Sequence, residues 1–251
     1  MKKLLFILFA AGLAACSKDE PIAPVPPTSS PAGFRLHSVS GEISHVFDFV
    51  NDRVETITQV GDEDCLKKQI FYKSNGQIDF VVGTTTYDDL SVKVDTTFVQ
   101  YAAGRLSQTT TRNSFNGAQV TEYFTYDDLN RLSSVRQRRI MSDITDWTWI
   151  YIYNDDNNVA RLELLGAQSS LFEYDDKTNP YTQIDLEVRL ILGDWRRMNV
   201  FSQNNALTKT VVFSNPTLAN DSTVYTYQYN ARELPQSRVD ETGFETTYRY
   251  E

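Results

Sequence analysis

The chain is predicted to be an all-β protein: a single large, curved, antiparallel up-and-down meander of roughly 15–18 strands, forming an open sheet or a barrel. Three observations predict it. A unit of aromatic, polar turn and aliphatic recurs along most of the length. Two chemical kinds of turn alternate between successive strands. Thr, Tyr, Val and Phe, which suit a pleated surface, abound, and glycine is sparse at 11 residues in 251.

From the N-terminus, Met1-Lys2-Lys3 supplies positive charge, Leu4 to Leu13 is apolar, and Ala14-Ala15-Cys16 closes the run with small residues. This order marks residues 1–15 as a secretory signal peptide. A run of about ten apolar residues is too short for a membrane-spanning helix, which needs ~20. Leu13-Ala14-Ala15-Cys16 resembles the lipobox of lipoprotein signal peptides. That resemblance implies cleavage before Cys16, a diacylglyceryl thioether on its sulfur and acylation of its new amino group. Several acyl chains, at ~0.8 kcal/mol per buried CH2, anchor a protein durably.

Ser17 suits passage to the outer membrane, and Lys18, Asp19 and Glu20 resemble the short acidic export signal of Bacteroidetes-type surface lipoproteins. Five prolines follow between Pro21 and Pro31. Residues 16–33 therefore read as a lipidated cysteine followed by a semi-rigid stalk of roughly 30 Å, with one repeat-built β domain over 34–251. The expected location is the outer membrane, lipid-anchored and facing the cell surface, with the periplasmic face as the alternative.

Composition narrows the function classes. The full chain carries −9, and losing Lys2 and Lys3 with the leader makes it more acidic. An acidic surface disfavours nucleic acid as a partner. Once Cys16 carries lipid, Cys65 is the one cysteine left and is expected to stand unpaired, in a structural role. Its neighbours Asp62, Glu63 and Asp64 disfavour a thiolate.

The repeated unit runs from Phe49 to Val54, Tyr72 to Ile78, Tyr101 to Leu106, Tyr126 to Leu132, Tyr153 to Val159, Tyr174 to Tyr181, Phe201 to Leu207 and Tyr229 to Leu234, with Tyr250 as a final half unit. The anchor aromatics lie 21 to 29 residues apart. Between them fall signals of a second kind, among them Gly61-Asp62, Asn116-Gly117, Ser142-Asp143 and Thr242-Gly243. Asn-Gly is a strong hairpin signal because both central positions take positive φ. One kind of turn at each end of a sheet requires strands that run up and down. Ile184, Leu186, Val188, Leu190 and Leu192 alternate with polar residues and read as a further strand. Trp147, Trp149, Tyr151 and Tyr153 share one face of another strand, with Ile150 and Ile152 opposite, so that strand is expected to be covered on both sides.

Phe124-Thr125-Tyr126-Asp127-Asp128-Leu129-Asn130-Arg131-Leu132 resembles the tyrosine-aspartate repeat of Rhs-type shells, with Asn130 in place of the usual glycine. Asn tolerates the positive φ of that position. Tyr174-Asp175-Asp176-Lys177-Thr178-Asn179-Pro180-Tyr181 resembles a segment of a Bacteroidetes lipoprotein family of unknown function with a porin-like fold. That resemblance implies a large curved antiparallel sheet or barrel and no catalytic residues.

No site motif for metal, phosphate or nucleophilic chemistry stands out. The acidic turns at 127–130, 155–158 and 175–179 lack the spacing of a calcium loop, and Asp and Asn suit turns through local hydrogen bonds. His37 and His45 are the only histidines. Arg136, Arg138, Arg139, Arg196 and Arg197 read as cross-strand partners of the carboxylates. The expectation is a non-catalytic lipoprotein without cofactor or metal, serving as a binding or structural platform for a glycan or protein partner. The alternative is a carrier holding a lipid or other apolar ligand in a cavity of the curved sheet. A membrane-embedded barrel is disfavoured because 136–139 puts polar residues on both faces of one strand.

Overall fold

The computed structural model describes residues 35–41, 44–61, 64–113, 117–140, 143–193 and 200–251. The leader, Cys16, Ser17 to Glu20, the stalk, and Arg196 and Arg197 lie outside the described residues. Sixteen strands follow in order: β1 (Leu36–Ser40), β2 (Ser44–Val50), β3 (Arg53–Val60), β4 (Asp64–Tyr72), β5 (Ile78–Tyr87), β6 (Val92–Ala102), β7 (Arg105–Asn113) and β8 (Gln119–Tyr126). The second half holds β9 (Leu132–Ile140), β10 (Ile144–Tyr153), β11 (Val159–Leu164), β12 (Gln168–Thr178), β13 (Asn204–Phe213), β14 (Asp221–Tyr229), β15 (Pro235–Asp240) and β16 (Glu245–Tyr250).

Each strand pairs antiparallel with its neighbours in the chain, and β1 pairs with β16, so the sheet is a closed barrel. Leu36 faces Tyr250, and the main chains of Arg35 and Glu251 exchange hydrogen bonds of 2.9 and 3.0 Å. Closure leaves no strand edge open for pairing with another chain. The turns that follow the anchor aromatics all lie on one rim. Arg131 in the β8–β9 turn donates to Asn157 Oδ1 in the β10–β11 turn at 3.0 Å, which requires the two loops to be neighbours.

The strand pairs that meet at this aromatic rim share one irregularity. In each, the register slips beside the anchor: at Phe49, Tyr72, Tyr101, Tyr126, Tyr153, Tyr174 and Tyr229, and opposite Tyr250. The extra residue is on the returning strand, so two residues three apart both face inward. Val54 and Ile57, Ile78 and Val81, and Leu132 and Val135 are such pairs, and all six are buried. A bulge of this kind bends the strand and raises its twist, which helps a sheet close.

The same slip lets neighbouring hairpins lock. The hydroxyl of Tyr72 donates to Val54 O, Tyr126 to Leu106 O, Tyr174 to Val159 O and Tyr250 to Pro235 O, at 2.7 to 2.8 Å. The arginine beside the buried aliphatic stacks on the next aromatic: Arg35 on Phe49, Arg53 on Tyr72, Arg105 on Tyr126 and Arg131 on Tyr153, at 4.5 to 5.5 Å. Asp127 fixes its turn by accepting from Leu129 N and Arg131 N, and Asn130 sits at φ 66. Asn154 and Asn230 hold their turns in the same way.

Two expectations fail between 179 and 203. The segment read as a strand is a 3-10 turn, Pro180–Gln183, followed by the helix α1, Leu186–Leu192. Alternating apolar residues in a short run fit a fully enclosed helix as well as a strand, and Ile184, Val188, Leu190, Ile191 and Leu192 are all buried. Phe201 does not anchor a hairpin; its ring meets Tyr151 edge-on at 5.6 Å. The whole β12–β13 connection folds into the lumen. It touches β1 through the 3-10 turn, β4 through Lys68, β6 through Tyr101 and β10 through Tyr151, and so spans the barrel's width. Cys65 is buried.

A half-filled barrel with a tryptophan pocket

The lumenal insert packs against the aromatic-rim half of the barrel, leaving a pocket of about 320 Å3 between Arg53, Tyr72 and Ile78 and the start of α1. Lys68 reaches from β4 to cap the end of α1, donating to Ile191 O and Leu192 O at 2.8 and 2.9 Å. Tyr101 donates to Glu187 at 2.8 Å while accepting from Ile78 N. Gly193 ends the helix at φ 76. Asn179 donates to Ser202 O, and Asn158 exchanges hydrogen bonds with Asn204, so both ends of the insert are tied to the rim. Burial raises the pKa of Tyr153 and Tyr174 and lowers that of Arg189 to about 10.

A second pocket, of about 270 Å3, lies among inward positions of β10 to β13. Trp147 and Trp149 form one wall, their rings 6.4 Å apart and tilted by 52°. Trp149 is buried, while Trp147 keeps 37% exposure and so lies within reach of a solute. Leu162 and Leu164 add apolar surface, and Gln168, Ser170 and Lys209 add polar atoms. A pocket of this size suits a ligand smaller than a drug-sized molecule, for which ~300–1,000 Å3 is usual.

The candidate residues read from the sequence are dispersed. Arg136 pairs with Asp146 across the outer face, as expected of a cross-strand partner. Arg138 lies opposite Asp146 on the same face, whereas Arg139 occupies an inward position opposite Thr145. His45 shares a hydrogen bond with Gln59 within the barrel, and His37 lies 3.5 Å from Glu251. Asp175 accepts hydrogen bonds from Tyr229, Asn205 and Lys177. Among the described residues, no group of three or more His, Cys, Asp or Glu gathers to hold a metal. The expectation that β10 is covered on both sides fails: its tryptophan face looks inward, and Ile152 on the other face is 43% exposed.

The fold is a closed, sixteen-stranded antiparallel barrel with an insert in its lumen and a tryptophan-walled pocket on the inner face of β10 to β13. No family model and no curated protein matches the chain. Among solved structures, a porin-like protein from Bacteroides uniformis is similar at 13% identity and a TM-score of 0.44, over 86% of this chain and 96% of that one. A porin-like protein from Bacteroides vulgatus is similar at 13% identity and a TM-score of 0.43, over 87% and 99%.

Proposed function

We propose that this chain is a non-catalytic surface lipoprotein, tethered to the outer membrane through Cys16, whose barrel stands in water as a cup and binds a glycan. The observation that carries the binding role is the pocket in which Trp147 and Trp149 meet Gln168, Ser170 and Lys209. Indole faces accept the C–H face of a sugar ring, and the polar side chains meet its hydroxyls. Three polar groups among apolar walls fit a sugar better than a lipid tail.

The outer face supports a barrel in water. Lys67, Arg136, Asp146, Arg161 and Glu163 occupy outward positions, with Arg136 paired to Asp146 and Arg161 to Glu163. A lipid-facing Arg or Lys costs ~2–4 kcal/mol at the midplane, so such a wall is a poor membrane belt.

Three measurements test the parts separately. Binding to an array of glycans should show retention that Trp149→Ala abolishes; if only lipid is found bound by native mass spectrometry, the protein is a carrier. Trypsin treatment of intact cells should degrade the barrel, and full protection refutes the surface placement. The N-terminal peptide of the mature protein should carry diacylglycerol on Cys16. An unmodified Cys16, or one cross-linked to Cys65, refutes the anchor.

A further inference from the structure

We infer that the tryptophan pocket recognises an acidic sugar, with Lys209 meeting the carboxylate; this rests on the glycan reading above. The position of Lys209 carries the argument. In the shared register of the eight bulged pairs it is the second inward residue of the returning strand. The corresponding residues are Val39, Ile57, Val81, Thr109, Val135, Leu162 and Arg238. Six of these seven are uncharged. The seventh, Arg238, is engaged: it stacks on Tyr225 at 4.6 Å and donates to Thr246 at 3.1 Å.

Lys209 has neither kind of satisfaction. Among the described residues no carboxylate and no hydrogen-bond acceptor meets its ammonium. The other lumenal lysines contrast with it, since Lys68 caps α1 and Lys93 pairs with Asp95 at 2.9 Å. A half-buried cation at a position that six of the seven other strands fill with a methyl-bearing side chain costs desolvation and returns no internal contact. Phe172 and Thr223 lie opposite it in the sheet, and the two indoles, Leu162, Leu164, Gln168 and Ser170 line the same pocket. An indole wall, two hydroxyl-matching side chains and one uncompensated cation are the complement of a pyranose bearing a carboxylate. The acidic net charge of the chain would repel such a ligand from the rest of the surface, so the attraction has to be local.

The test uses the full mature protein in detergent, in a Trp195→Phe background so that Trp147 and Trp149 are the only tryptophans, excited at a wavelength tyrosine does not absorb. Galacturonic acid and galactose are titrated separately. Galacturonic acid should quench or shift the emission saturably and bind roughly ten- to a hundredfold more tightly than galactose, the range of a charge-assisted hydrogen bond. Lys209→Met should erase that preference, bringing the affinity for galacturonic acid down to that for galactose in the same variant, and Lys209→Arg should keep much of it. Added salt should weaken the acidic sugar alone. Equal binding of the two sugars, or a preference that survives Lys209→Met, overturns the inference and leaves the glycan reading standing. Binding of neither sugar, with an unchanged melting curve, overturns both.

Discussion

The hydroxyl lock between hairpins makes a quantitative prediction. Tyr72, Tyr126, Tyr174 and Tyr250 donate to main-chain carbonyls of the neighbouring hairpin. Tyr→Phe removes one oxygen and leaves the ring and its stacked arginine in place. A neutral hydrogen bond contributes ~0.5–1.5 kcal/mol net, and a carbonyl left unsatisfied away from water costs more. These four hydroxyls donate to different carbonyls, so their effects should add. The quadruple variant should therefore lose about 4 kcal/mol, or roughly 8–16 °C in Tm for a domain of this size. Urea unfolding followed by far-UV circular dichroism reads the loss as a lower midpoint at unchanged slope. Tyr123→Phe, on the exposed outer face of β8, is the control and should move the midpoint little. If the quadruple variant unfolds with the control, the lock is ornament and the bulged register must be held by packing alone.

Three further outcomes follow from the same structure. Burial raises Tyr72 and Tyr126 to about 12 from 10, so the unfolded chain releases those protons first; stability should fall as pH rises from 10 to 12, checked by urea midpoints across that range. Lys68→Met removes both bonds to the end of α1, so hydrogen exchange at 186–193 should quicken while β-strand amides keep their protection. Asn130 at φ 66 tolerates Gly, but Asn130→Val should cost ~1–2 kcal/mol in thermal unfolding, because a β-branched side chain crowds the left-handed region.

Much of the meander was legible in the sequence because it is written locally. Tyr126, Asp127, Asn130 and Leu132 specify a turn within seven residues, and the period of such units bounds the strand count to a range that includes the observed sixteen. Closure was not legible, since it joins Leu36 to Tyr250, the two ends of the domain, and no local pattern encodes that pairing. The bulges were legible in principle: Val54 and Ile57, or Leu132 and Val135, are apolar pairs three apart inside otherwise two-periodic strands. The insert was hidden by the alternation of Ile184 to Leu192, although Pro180 and Gly193 bracket it as start and stop signals. The pocket carries no motif. Trp147 and Trp149 were assigned to one face, but a face does not reveal a void. Lys209 becomes conspicuous only against the register of the other seven returning strands.

The two halves of the barrel carry different duties, and this separation has a physical origin. Each bulge, the arginines stacked on the anchor aromatics and the insert lie toward the aromatic rim. The strand pairs joined by turns at the opposite rim show no register slip in the described residues. Regular pairing there is held by backbone hydrogen bonds, so the inward side chains are under less demand to pack. Gln168, Ser170 and Lys209 line the pocket beside Trp147 and Trp149. Exchanging them should therefore change what the cup holds with small effect on whether it folds, whereas Leu132→Ala, at a fully buried site beside a bulge, should cost ~2–5 kcal/mol. Urea midpoints of Leu132→Ala and Lys209→Met decide the matter. If Lys209→Met destabilises the barrel as much as Leu132→Ala does, the lysine is a structural member and the division of labour between the two ends is wrong.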